Sequence, residues 1–244
     1  MLYDTHCHLT QLSSTVLSEQ IDLNCCYLSV GTSNRDWLPV LQLAKDHKNI
    51  YSAIGLHPWF VDSNYQSQIS HLIDLTQHHP LSALGEIGLD FSKNYKSTKS
   101  FQIDALEQQL QIAHDNKLPI SVHVYKAHSE LLTVLKQYNV TGVIHGLGSS
   151  LEITKSYLDL GYKIGVNGVL VNDNAVRYHR MIKHFPLQSF VLETDAPNVK
   201  LPGFDRTSLN DIYKVLSMFS NLTGLSKDVI SQVTSSTAQS IFKF

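Results

Sequence analysis

Residues 83–125, ALGEIGLDFSKNYKSTKSFQIDALEQQLQIAHDNKLPISVHVY, decide the fold. They open with an apolar run, Ala83–Leu89, and pass through a polar loop, Ser92–Ser100. A segment of helical period, Phe101–Lys117, leads to a second run, Ile120–Tyr125. In the helical segment Ile103, Leu106, Leu110 and Ala113 recur at steps of three and four, which puts them on one helix face. The flanking runs are short and apolar or β-branched, as buried strands are.

The same alternation extends in both directions. Runs at Leu2–His8, Cys26–Gly31, Tyr51–His57, Gly142–His145, Tyr162–Val166 and Phe190–Thr194 bring the total to eight. Eight strand–helix units in 244 residues predict an α/β fold, a single-domain (β/α)8 TIM barrel spanning 1–244. A doubly wound open sheet has the same local pattern. No Gly-x-Gly-x-x-Gly follows the first run, however, which weighs against a dinucleotide-binding version. Leu209, Ile212, Leu216 and Phe219 repeat the helical spacing, Gly224 suits a helix stop and Ser226 a new N-cap, so C-terminal helices are expected to close the barrel.

Charge and cysteine usage narrow the function classes. A net charge of −2 provides no basic footprint for gripping long duplex DNA, so a nucleic-acid partner is confined to a short, locally held end. Cys7, Cys25 and Cys26 are an odd set with two members adjacent; no disulfide framework follows, and a reducing cytoplasm is expected. The opening Met-Leu-Tyr-Asp-Thr-His has neither the basic nor the apolar region of a signal peptide, and no apolar run reaches a membrane-spanning length. Histidine is the compositional oddity, with 13 against 12 glycines, although glycine is among the commonest residues.

Barrel enzymes carry their sites at the C-terminal ends of the strands. The first run ends Asp4-Thr5-His6-Cys7-His8, and alternation puts Asp4, His6 and His8 on one face. The fourth carries Glu86 between glycines, the fifth reaches His123, the sixth His145, and the eighth ends Glu193-Thr194-Asp195. Taken singly, each has an ordinary reading: a hydrogen-bonded core histidine, a salt-bridge partner, a cap. Together, five strands present His6, His8, Glu86, His123, His145 and Asp195 at one end of one barrel. Imidazole and carboxylate are ligands that Zn²⁺, Mn²⁺ and similar ions accept. Six ligands exceed what one tetrahedral catalytic zinc takes and suit two ions bridged by a carboxylate. His57 shares the inward parity of Ala53 and Gly55 and is a candidate substrate contact; Asp4 and Glu193 are candidates for orienting imidazoles. In the polar loop, Lys93, Lys96 and Lys99 either face solvent or meet an anionic substrate, and His128 is a weaker candidate.

Asp-Thr-His-Cys-His-Leu at 4–9, Ala-Ile-Gly-Leu-His-Pro at 53–58, Gly-Glu-Ile-Gly-Leu-Asp at 85–90 and Leu-Glu-Thr-Asp-Ala-Pro at 192–197 resemble the TatD family of metal-dependent deoxyribonucleases. Gly161–Val166 looks closest to the YjjV-like branch, and the resemblance covers nearly the whole chain. It implies two divalent metal ions, one held by His6, His8 and Asp195, the other by His123 and His145, with Glu86 bridging. It also implies hydrolysis of phosphodiester bonds at DNA ends, often the 3′ end. Asp195, poised near the expected water, is the candidate proton acceptor, and Glu86, as the bridge, is the other candidate catalytic residue. Relatives commonly carry Ser-Arg after the strand-five histidine, where Val124-Tyr125 stand here, so Lys126 or Lys200 would partly replace the arginine as a phosphate contact. An aromatic and a serine after the strand-six histidine are replaced by Leu147 and Gly148. Barrels with His-x-His on strand one also cleave lactones, cyclic amides and phosphotriesters. Many of those bridge their metals with a carboxylated lysine, and Glu86 in that place favours the nuclease-like branch. A catalytically weak metal-binding partner protein would show a broken ligand set, and all six positions are filled.

Overall fold

The eight runs become eight strands in the computed structural model, which describes residues 1–199, 201, 203, 206–242 and 244. They are β1 (Leu2–Cys7), β2 (Cys25–Val30), β3 (Ile50–Ile54), β4 (Ala83–Asp90), β5 (Ile120–Tyr125), β6 (Gly142–Ile144), β7 (Lys163–Val166) and β8 (Phe190–Leu192). The helices are α1 (Ser14–Gln20), α2 (Trp37–Asp46), α3 (Tyr65–His78), α4 (Lys99–Asp115), α5 (His128–Leu135), α6 (Leu151–Asp159), α7 (Val176–His184), α8 (Ile212–Thr223) and α9 (Lys227–Ile241). Every strand pairs in parallel with its sequence neighbour, from β1 to β8. The ring closes where β8 meets β1: Asp195 N donates to His6 O at 2.9 Å and His8 N to Ala196 O at 2.8 Å. A doubly wound sheet has no such seam, so the barrel is the fold.

Two apolar shells hold it. Tyr3, Leu28, Val30, Ala53, Ala83, Val143 and Val191 fill the barrel interior, and Ala238 and Phe242 plug its lower end from α9. Gln239 Nε2 fixes that plug by donating to the Tyr3 hydroxyl at 2.6 Å. A larger shell lies between strands and helices, where Trp37, Leu72, Leu84, Leu110, Tyr157 and Phe219 are buried. The C-terminal punctuation is as expected. Gly224 ends α8 at φ 73°, a left-handed conformation that glycine adopts without a Cβ penalty. Ser226 then caps α9 by accepting from Val229 N at 3.3 Å. Among the described residues no helix is long and apolar enough to cross a membrane.

The central helix begins and ends two residues earlier than its apolar spacing suggests. Leu106, Leu110 and Ala113 are buried as expected, but so are Gln102 and Gln109. Gln109 brackets Leu56, with Oε1 accepting from its N–H at 2.7 Å and Nε2 donating to its carbonyl at 3.2 Å. Gln102 does the same for Asp90, at 2.9 and 3.0 Å. These two side chains splint the ends of β4 and of the loop after β3, both of which carry site residues. Gln109→Leu will strand two polar backbone groups at a residue 1% exposed. At about 1–3 kcal/mol for each buried unpaired group, denaturant unfolding should report a loss of about 2–6 kcal/mol. A loss below about 1 kcal/mol would mean that the bracket is not needed.

Candidate metal centre

The rim at the C-terminal ends of the strands gathers the expected residues, although local geometry departs from simple alternation. In β1 the pairing advances three residues, Asp4 to Cys7, while β2 advances two, Tyr27 to Ser29. This bulge breaks the shared parity expected for Asp4 with His6 and His8. The Asp4 carboxylate turns to the β8 seam instead and accepts from Thr194 N at 3.0 Å and Thr194 Oγ1 at 2.6 Å. His6 lies within the bulge and His8 beyond it, and their Nε2 atoms come together 3.2 Å apart. The parity expected for His57 also ends with β3, at Ile54. His57 is instead positioned by capping a 3-10 turn, its Nδ1 accepting from Trp59 N at 3.2 Å. Asp195 lies three residues past β8 with φ 56°, a conformation that Asp tolerates better than most residues.

Glu86 is the hub. Its Oε2 is 3.4 Å from His6 Nε2 and 3.7 Å from His8 Nε2. Its Oε1 is 3.2 Å from His123 Nδ1, 3.4 Å from His57 Nε2 and 3.7 Å from His145 Nε2. Asp195 spans the other side, with Oδ1 3.3 Å from His8 Nε2 and Oδ2 3.9 Å from His145 Nε2. The donor atoms of His6, His8 and Glu86 all lie within 4.8 Å of one another, as do those of His57, Glu86 and His123.

Hydrogen bonds on the far sides of the rings decide which nitrogens offer lone pairs. His8 Nδ1 faces the Val30 carbonyl at 3.0 Å; a carbonyl only accepts, so Nδ1 carries the proton and Nε2 is free to ligate. Likewise His145 Nδ1 donates to Glu193 Oε1 at 3.0 Å, and His123 Nε2 faces Asp90 Oδ2 at 3.4 Å. His6 Nδ1 meets Ser121 Oγ at 2.9 Å. A carboxylate or carbonyl behind the ring is the usual support for a metal-ligating histidine; His8, His123 and His145 have one and His6 has a hydroxyl, so this donor set fits divalent cations. His57 is the exception. Its Nδ1 accepts, so Nε2 bears the proton and donates to Glu86, which makes His57 a support for the carboxylate and not a ligand.

The electrostatics point the same way. Burial alone would raise the pKa of Glu86, but His57, His6 and His123 hold it well below the usual carboxylate range. Burial takes His57 down to about 4, so it is neutral near pH 7. At His145 the lowering effect of burial is outweighed by Glu193 and Asp195, which lift it to about 10. The carboxylates therefore demand positive charge beside His145 Nε2, which a proton or a divalent cation supplies.

Other sequence expectations fare unevenly. Glu193 orients an imidazole, as expected, and also accepts from Gly146 N at 2.7 Å. Lys126 lines a neighbouring cavity and not the centre itself. Lys200 lies outside the described residues. In the polar loop Lys99 pairs with Glu130 at 2.6 Å; the loop's contribution to the rim is Tyr95, stacked on Trp59 at 5.3 Å. Trp59 and Asp90 went unnoticed in the sequence. Trp59 Nε1 donates to Asp90 Oδ2 at 2.6 Å, on the oxygen that faces His123. Asp90 had a signal, since it shares the parity of Glu86 and Gly88. The Val30 carbonyl, being backbone, had none.

An eight-stranded barrel whose rim holds buried imidazoles and carboxylates around a central Glu has the architecture of a metal-dependent barrel enzyme. The family model described as TatD related DNase matches residues 3–243. The chain belongs to the TatD family, in its YjjV-like branch, and is a metal-dependent hydrolase. It is 33% identical over 211 residues to the uncharacterized metal-dependent hydrolase YjjV of Escherichia coli K12, covering 82% of this chain and 81% of that one. A metal-dependent hydrolase of Haemophilus influenzae is 31% identical, with 83% of each chain covered. The crystal structure of YjjV superposes with a TM-score of 0.92 at 28% identity, over 100% of this chain and 98% of the other.

Proposed function

We propose that the protein hydrolyses phosphodiester bonds, acting on DNA ends in the manner of a 3′ exonuclease, with two divalent cations. His6, His8 and Asp195 would hold one, His123 and His145 the other, and Glu86 would bridge them. One observation carries this reading: the two oxygens of Glu86 face different imidazole sets, Oε2 toward His6 and His8, Oε1 toward His123 and His145. Bound there, divalent cations supply charge for the phosphate oxygens and lower the pKa of an attacking water toward neutral.

The chain's own groups do the rest. Asp195, the rim carboxylate whose side chain is 13% exposed, accepts the proton of the attacking water at Oδ2. His57 Nε2–H steadies Glu86 Oε1. Trp59, exposed and beside His57, offers an apolar face on which a base can stack. The near-neutral charge balance suits a short end held at the centre over a long duplex. Three free, buried thiols suit a reducing cytoplasm.

Chelator-stripped protein should regain activity on single-stranded and duplex DNA ends with Mg²⁺, Mn²⁺ or Zn²⁺. Stripped protein that keeps the full rate would sink the metal mechanism. Cleavage of lactones or amides with no phosphodiester turnover would move the substrate class to amidohydrolase chemistry. Binding should also appear without turnover. Cation at 100 times its Kd stabilises the folded state by about 2.7 kcal/mol. At about 2–4 °C per kcal/mol for this size, the melting temperature should rise by about 5–11 °C over the stripped protein.

A further inference from the structure

Next to the metal centre lies a second cavity, about 540 Å³, that the reading above leaves unused. It opens between the loops that follow β5 and β6. Val124 and Gly146 line it, each one residue past a proposed ligand, His123 and His145. Lys126, His128 and Arg177 line it too, and no Asp or Glu does. The Lys and Arg ion pairs formed among the described residues belong to Lys99, Lys155 and Lys214, so neither Lys126 nor Arg177 has a carboxylate partner there. His128 is occupied, its Nδ1 meeting the Tyr157 hydroxyl at 3.1 Å.

The fold holds the two free cations at this wall. A Cβ on Gly148 would lie 2.3 Å from Tyr178 Cε2, so the glycine is what lets the buried Tyr178 ring lie against the loop after β6. That contact pins the first turn of α7, where Arg177 precedes Tyr178. Lys126 stands at a left-handed turn with φ 54°, its ammonium 5.5 Å over the Tyr125 ring. Two cations with no carboxylate partner among the described residues, in a cavity whose lining has no Asp or Glu, form an anion site, and the planar fork of arginine matches phosphate oxygens.

We propose that this cavity is a phosphate subsite, in which Arg177 and Lys126 hold the phosphate next to the one being cleaved. The preferred substrate therefore carries at least two phosphates, as an oligonucleotide end does and a simple diester does not. This inference rests on the phosphodiester reading, and its test separates the two.

The metal-loaded enzyme is assayed with TpT, which has one phosphate, and with pTpTp, which has a phosphate on each side of the scissile one. Arg177→Gln should raise KM for pTpTp about tenfold with kcat within about twofold, leaving TpT unchanged. Lys126→Gln should act in the same direction and more weakly. Equal loss on both substrates, or no loss on pTpTp, overturns the subsite. If the wild type cleaves neither, the phosphodiester reading fails and calorimetry decides. Thymidine 3′,5′-bisphosphate bound more tightly than thymidine 5′-monophosphate, with the difference lost in Arg177→Gln, upholds the subsite. Equal affinities overturn it.

Discussion

On the two-cation reading proposed above, replacing Glu86 with glutamine will cut the bound metal from about two ions per chain toward one and slow turnover about a thousandfold. The two carboxylate oxygens serve opposite sides of the centre, toward His6 and His8 and toward His123 and His145. An amide keeps the shape but has only one accepting oxygen, and its NH2 cannot ligate. Whichever way it turns, one imidazole set loses the carboxylate oxygen that faces it, and the centre loses a unit of negative charge. A metal contributes several kcal/mol to phosphoryl transition states, and each 1.36 kcal/mol is a factor of ten. The near-isosteric swap should leave the fold intact, which circular dichroism will check. Elemental analysis that still finds two ions per chain would rule out the bridge.

Gly165→Ala should damage the same centre from behind. Gly165 lies in β7, and a Cβ there would sit 2.0 Å from Glu193 Oε2. Glu193 is fully buried, and its Oε1 orients His145 at 3.0 Å. The methyl must push this carboxylate away from the imidazole. Loss of such a support typically costs 10- to 100-fold in metal affinity or activity, and overpacking costs about 1–3 kcal/mol of stability. Gly161→Ala is the control. That residue has φ 89° with nothing within 4 Å, so alanine strains the backbone without reaching the site. The metal affinity of Gly161→Ala should match the wild type, while that of Gly165→Ala falls. Wild-type affinity in both would show that Glu193 does not orient His145.

The histidine excess divides along similar lines. His6, His8, His57, His123 and His145 converge on Glu86. His78 is an exposed helix-end residue, its Nδ1 2.8 Å from the Asp74 carbonyl. Composition raised the question, and strand position sorted the residues.

The eight strand runs, the amphipathic helices and the six residues proposed as ligands could be read from the chain because each rests on local physics. Period-two and period-3.6 burial repeat within a few residues, and imidazole or carboxylate at a strand end declares its chemistry. What only the folded molecule decided joins distant residues. Asp4 meets Thr194 across 190 positions, and His145 meets Glu193 across 48. The bulge after Asp4 shifts side-chain parity with no composition signal. Gln109 is polar yet buried, because it satisfies the backbone of Leu56, 53 residues away. Arg177 reaches its cavity because Gly148 leaves room for Tyr178. Ring closure sets these contacts, and the directions of backbone carbonyls and of missing side chains leave no pattern in the order of residues.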